Sequence, residues 1–178
     1  TVLDKSIARL KELDRQFGGK LNTIFSTQDA LEKYIPLADI LVGAVLVPGA
    51  EAPKILTRDL LRKMRSGSVV VDVAIDQGGC FATSRPTTHT HPTYLVDDIV
   101  HYCVSNMPGA VPRTSTFALT QATLPYILAL ANKGIDRALA EDVHLRNGLN
   151  ISRGHITHQA VASVFDKPYV SAREVLSA

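Results

Sequence analysis

"SVVVDVAI" (68–75), running straight into "DQGG" (76–79), is the stretch on which the fold turns. Its β-branched, apolar run reads as a buried strand. Asp76, an amide and two glycines then end it. A strand that is apolar along its length belongs to a parallel sheet covered on both faces. Open parallel sheets bind ligands beyond the carboxyl ends of their strands, so a carboxylate at that end is aimed into the cleft. Gly78 and Gly79 clear space beside it and permit positive φ. The alternative for Asp76 is a cap on the next turn.

Working outward, the same alternation recurs. "TVLD" (1–4) reads as the end of a strand, and "KSIARLKELDRQF" (5–17) as a helix with Ile7, Leu10, Leu13 and Phe17 on one face, stopped by Gly18-Gly19. "KLNTIF" (20–25) alternates like a strand. Ser26 then opens a short helix, with Asp29 three residues on, close to a capping box. "ADILVGAVLV" (38–47) is a buried strand broken by Pro48-Gly49. Thr57 caps a helix that runs through Met64 and closes at Gly67, and "DIVHYCVS" (98–105) is another strand. After Pro112 the period changes. Residues 114–134 read as one long helix, kinked at Pro125, and only helical or irregular patterns follow to Ala178. A boundary near 110–114 divides the chain into residues 1–112 and 113–178. The pattern is α/β, a doubly wound parallel sheet followed by a helical segment.

The 178 residues include 19 Lys and Arg against 17 Asp and Glu, a net charge of +2 with no basic stripe, so nothing points to nucleic acid. Hydrophobic residues make up 46%, enough for a core, and no run is long enough to span a bilayer. Cys80 and Cys103 make no disulfide scaffold, which points to a reducing cytoplasm.

Other strand ends also draw attention. Asp4 closes the first strand, where dinucleotide folds place an acid on ribose hydroxyls; the alternative is the N-cap of the following helix. Pro48, Gly49, Ala50 and Pro53 make either a close approach for a flat ligand or a simple strand–helix turn. "SNMPGAVP" (105–112) gives a second polar turn, with Asn106 able to donate and accept. His89 and His91 lack neighbouring ligands for a metal and read as solvated loop residues. His101 reads as a core residue with its hydrogen bonds satisfied. The glycine fingerprint G-x-G-x-x-G is absent; its place would precede Thr1.

The strings "GAVLVPGAEAPKILT", "GSVVVDVAIDQGGCF", "NMPGAVPRTST" and "ALTQATLPYILALANKG" closely resemble the alanine dehydrogenase and transhydrogenase α-subunit family. The resemblance runs from Thr1 to Ala178 and is nearer to alanine dehydrogenase, because the transhydrogenase loop typically carries Glu or Asn where Asp76 stands. It implies a partial Rossmann-type sheet in 1–112, the second part of an NAD-binding domain, and in 113–178 a helical segment that packs with a substrate domain. It implies NAD-dependent oxidative deamination of L-alanine to pyruvate and ammonium, reversibly, in a cytoplasmic homo-oligomer, a hexamer.

By the same resemblance, Asp4 and Arg9 contact the adenosine ribose region and Ser26 lies beside the adenine. Val45 and Leu46 line the groove, while Val73, Ala74, Ile75 and Asp76 lie near the nicotinamide end. Arg85 reaches the cofactor from the next loop. Val104, Ser105, Asn106 and Met107 flank the nicotinamide. Asp76 is the catalytic carboxylate. The family's substrate-binding Arg and Lys, its catalytic His and its glycine fingerprint belong to an N-terminal half that this sequence is expected to lack. Some members hold magnesium through a Glu and a His on the long helix; Ala129 and Lys133 stand at those positions here, so no metal is expected. Two other readings stay open: a transhydrogenase-like nucleotide domain, and a catalytically silent NAD-binding or assembly module. In the sheet order 3-2-1-4-5-6, the strand between residues 1–4 and 39–45 would come from the missing part.

Overall fold

The structure, a computed structural model, describes residues 1–47 and 51–177, so the expected break at Pro48-Gly49 lies outside the described residues. The chain forms two units, one of residues 1–45 and 54–105, the other of residues 46–53 and 106–178.

The first unit is α/β, with a parallel sheet of Rossmann type. β1 (Val2–Asp4) is followed by α1 (Ile7–Phe17), and the two lead to β2 (Thr23–Phe25), which pairs with β1 in parallel, Asp4 opposite Phe25. Next come α2 (Gln28–Tyr34), β3 (Ile40–Gly43), α3 (Arg58–Leu61), β4 (Val69–Asp72), β5 (Thr93–Val96) and β6 (Ile99–Tyr102). β3, β4 and β6 are parallel and β5 joins antiparallel, in the order β3-β4-β6-β5. Among the described residues no ladder joins β1 to β3.

The helix ends follow from local chemistry. Ser6, not Asp4, caps α1: its side chain accepts the Arg9 N–H, and Gly18 closes the helix in the left-handed region at φ 55°. α2 is capped by Thr27, not Ser26. The Ser26 N–H donates to the Asp4 carbonyl at 3.0 Å, so Ser26 still belongs to the strand pairing, and Thr27 Oγ1 accepts from the Ala30 N–H at 3.1 Å. Thr57 caps α3 as expected. The helix is short because Lys63 and Met64 donate to the carbonyls of Leu60 and Leu61, three residues back, which tightens the last turn.

β4 ends at Asp72 rather than at Ile75. The Asp72 side chain accepts the Ala74 N–H and starts a 3-10 turn, Val73–Gln77. β5 was not anticipated. It forms a hairpin with β6 through Asp97 and Asp98, both at positive φ, and Arg58 and Arg62 hold the Asp97 carboxylate at 2.8 and 3.2 Å. Leu56, Leu61, Val70, Phe81, Ile99 and Val104 are fully buried and form the core of this unit.

The second unit is mostly helical: a 3-10 turn (Met107–Ala110), α4 (Pro112–Lys133), α5 (Ile135–Glu141), α6 (Val143–Asn147), α7 (Gln159–Val164) and α8 (Ala172–Ser177). It also contains a small hairpin, β7 (Ile151–Ser152) and β8 (His155–Ile156), where only helical or irregular structure was expected. Arg153 and Gly154 both take positive φ, the requirement of a tight two-residue hairpin turn. α4 includes Pro125 and buries none of its residues, while Phe117, Leu124, Tyr126 and Ile127 are exposed. A helix apolar on every side is built to be covered. No helix among the described residues is long and apolar enough to cross a membrane.

Candidate functional site

Because β3, β4 and β6 are parallel, the loops after Gly43, Asp72 and Tyr102 leave the same end of the sheet. Asp76 sits on the middle one. It is exposed, on the 3-10 turn that follows β4, while Ala74 and Ile75 before it are buried and anchor the turn. Gly78 and Gly79 take φ 85° and 75°, the left-handed conformation expected for this turn.

Beneath the turn lies a residue that the sequence reading passed over. Asp72 is fully buried and accepts five hydrogen bonds. Its Oδ1 receives the Ala74 N–H at 3.1 Å and the Cys80 Sγ–H at 3.3 Å. Its Oδ2 receives the N–H groups of Cys80 at 2.9 Å and Phe81 at 3.2 Å, and the Ser84 hydroxyl at 2.5 Å. A buried carboxylate is tolerable only with this degree of pairing. Burial, reinforced by the Asp72 charge, pushes the Cys80 thiol up to about 12, so it stays protonated and donates. On the other side, Lys54 Nζ donates to the carbonyls of Gly78 at 2.5 Å and Gly79 at 2.7 Å. The returning chain pairs Phe81 with Leu56, which brings Lys54 alongside.

Gly43 stands opposite Asp72 in the β3–β4 register. A Cβ there would meet Cys80 Sγ at 2.4 Å and the Phe81 ring at 2.5 Å, so its missing side chain is what admits the returning loop.

Asp4 and Ser26 come together at the end of the β1–β2 pair through the Ser26 N–H to Asp4 carbonyl bond, and the half-buried Asp4 carboxylate accepts the Ser6 N–H at 2.7 Å. Arg9 is exposed and pairs with Glu12 at 2.6 Å. After β3, Val45 is half-buried and Leu46 exposed; Val73, just after β4, is exposed. Val104, Ala74 and Ile75 are buried, so they belong to the core beneath the turn rather than to an exposed surface. Ser105 donates its N–H to the Thr87 carbonyl at 3.2 Å. Asn106 is exposed at φ 55° and precedes the turn containing Met107.

Arg85 lies with its guanidinium 4.0 Å from the centre of the Tyr94 ring, and the Arg85 main-chain N–H donates to the Tyr94 hydroxyl at 2.8 Å. The Tyr94 ring also stacks on His101, with centroids 4.9 Å apart. His101 is a core residue, as read: Nδ1 meets the Ile99 carbonyl at 3.0 Å and Nε2 the Thr83 hydroxyl at 2.8 Å. Burial lowers its pKa below the usual imidazole range. His89 and His91 are exposed. Lys54, Ser84 and Tyr94 were not legible as parts of this site, since each acts on a residue distant in sequence or through the main chain.

Comparison with known proteins agrees with this architecture. The family described as Alanine dehydrogenase/PNT, C-terminal domain, matches residues 1–159. An alanine dehydrogenase of Halomonas elongata is 60% identical over 176 residues, 99% of this chain and 47% of that protein. One of Mycolicibacterium smegmatis is 51% identical over 177 residues, 99% of this chain and 48% of that protein. Among solved structures, an L-alanine dehydrogenase is 48% identical with a TM-score of 0.78, covering 92% of this chain and 45% of that one. A transhydrogenase from Sinorhizobium meliloti, 22% identical with a TM-score of 0.65 over 89% of this chain and 42% of its own, shares the fold. The chain thus spans about half the length of the curated relatives it matches.

Proposed function

This chain belongs to the alanine dehydrogenase/PNT family, and on that premise we propose that it is the C-terminal portion of an NAD-dependent alanine dehydrogenase, interconverting L-alanine with pyruvate and ammonium. The observation that carries the reading is the exposed Asp76 carboxylate on the turn leaving β4, at the carboxyl end of the parallel strands.

A nicotinamide dinucleotide fits the residues present. Asp4 and Ser26 meet through their main chains at the end of the β1–β2 pair; the Asp4 carboxylate suits ribose hydroxyls, and Ser26 would lie beside the adenine. Arg9 would serve the same end, Val45 and Leu46 would line the groove, Arg85 would reach the cofactor from the loop that follows, and Val73, Ser105, Asn106 and Met107 would serve the nicotinamide end. Ala74, Ile75 and Val104, buried behind that end, would back it rather than touch the cofactor through their side chains. NAD would supply the hydride acceptor. The Asp76 carboxylate would hold negative charge beside the cationic carbon–nitrogen centre formed when alanine loses its α-hydrogen. It would also take a proton from the water that adds there. The substrate-binding cations and the catalytic histidine would come from an N-terminal portion. Its first strand would fill the place between β1 and β3, each of which has a partner on one edge only among the described residues. The apolar surface of α4 supports assembly into a homo-oligomer, and two buried free cysteines suit a reducing cytoplasm.

The test is Asp76→Asn in the full-length enzyme. NADH binding persists and turnover collapses, since the amide keeps the shape without the charge. Turnover within about tenfold of the parent, or about 1.4 kcal/mol in the barrier, would make Asp76 a turn residue only.

A further inference from the structure

We propose that Asp72 is the positioning residue of this site, with Lys54 as its cationic counterpart: together they hold the turn that aims Asp76. The inference rests on the reading of Asp76 as the catalytic carboxylate.

The donors to Asp72 come from both flanks of that turn, Ala74 on one side and Cys80, Phe81 and Ser84 on the other. One carboxylate therefore ties the two ends of residues 74–84 to the last residue of β4. Asp76 lies between those ties, on the outer side. Lys54 fixes the same loop from without, through the Gly78 and Gly79 carbonyls. The arrangement also explains Gly79. A Cβ on it would lie 2.8 Å from Asp72 Oδ2, so only glycine lets the chain rest on the carboxylate.

An apolar residue here would leave the buried N–H groups of Ala74, Cys80 and Phe81 without an acceptor, so Asp72 serves stability as well. What five converging hydrogen bonds add is a single loop geometry. A proton-handling carboxylate needs that, because misplacement by about 1 Å can cost on the order of a hundredfold in rate.

The experiment is a double-mutant cycle in the full-length enzyme with Asp72→Asn, Asp76→Asn and the pair. Asp72→Asn turns an N–H donor toward groups that are themselves donors, so the turn shifts. We expect kcat to fall about 10- to 100-fold while the KM for NADH changes less than about threefold. If Asp72 acts through Asp76, the double variant is no slower than Asp76→Asn, within about twofold. A folded Asp72→Asn enzyme with parental kcat, or losses that multiply in the double variant, overturns the proposal. Retained turnover in Asp76→Asn alone overturns the catalytic reading and this inference with it, and that arm is scored separately. Should Asp72→Asn fail to fold, Lys54→Met decides, because Lys54 is exposed. Its kcat falls several-fold in the parent and not at all on the Asp76→Asn background; parental kcat, or the same loss on both backgrounds, overturns the role.

Discussion

Gly79→Ala tests the loop's geometry through stability. Two costs meet at this position. The residue holds φ 75°, where an L side chain costs about 1–2 kcal/mol. The new Cβ would also lie 2.8 Å from Asp72 Oδ2, 3.0 Å from Ser84 Cβ and 3.3 Å from Ile75 Cδ1. Asp72 cannot retreat without loosening its five hydrogen bonds, so the clash adds the usual overpacking cost of about 1–3 kcal/mol. Two controls separate the terms. Gly67 has φ 84° and open space around a Cβ, so Gly67→Ala carries the backbone strain alone. Gly43→Ala carries the clash alone, against Cys80 and Phe81. Native-state hydrogen exchange at the Val70 and Val100 amides, in the β4–β6 ladder, reads the opening of this unit. At about 1.4 kcal/mol per tenfold, Gly67→Ala speeds exchange roughly 5- to 30-fold and Gly79→Ala roughly 30-fold or more. Exchange in Gly79→Ala no faster than in Gly67→Ala would refute the close packing of the turn on Asp72.

Two further outcomes follow from the site. Burial lowers the His101 pKa, and Arg85 lowers it further, against the Ile99 carbonyl and the charges of Asp72 and Asp97, which raise it. The unfolded chain therefore binds the proton more readily than the folded one. Stability from this group is fully present above the ordinary value of 6.5 and falls as pH drops from there toward the folded value. Melting between pH 8 and pH 5 should show that loss in the parent and less of it in His101→Gln; equal losses refute the assignment. Asp4, at the end of β1, should repel a 2′-phosphate, a like-charge contact costing on the order of a few kcal/mol. Asp4→Ser should narrow the preference for NADH over NADPH at least tenfold in fluorescence titration, and an unchanged ratio removes Asp4 from the ribose.

The strands legible in the sequence were those with continuous apolar runs, β3, β4 and β6, which the parallel sheet accounts for. β4 and β6 are buried or half-buried along their length, whereas β3 leaves Ile40 and Val42 exposed. β5 escaped because it is the antiparallel edge. Thr93 and Leu95 are exposed while Tyr94 and Val96 are half-buried, and a polar loop precedes it. The β7–β8 hairpin escaped because two residues a side carry no period. The α2 cap slipped by a residue because a long-range hydrogen bond decided it. Ser26 has the composition of an N-cap, but its N–H is taken by Asp4 across the strand pair.

The site shows the same limit in sharper form. Read as one strand to Ile75, "VVVDVAI" has a period of two, which sets Asp72, Ala74 and Asp76 on a single face. That parity holds as far as Asp72, which shares the buried face with Val70. It fails after Asp72 because the Asp72 carboxylate captures the Ala74 N–H and winds the chain into a 3-10 turn, burying Ala74 and Ile75 and turning Asp76 out. The overlooked carboxylate thus produces the exposure of the noticed one. The glycine pair was read as clearance for a ligand, but Gly79 packs inward on Asp72, as its 2.8 Å Cβ distance requires. A sequence pattern marks where a backbone must be free. Which side it must be free on depends on partners such as Lys54, 24 residues from Gly78 along the chain, and those only the folded chain brings together.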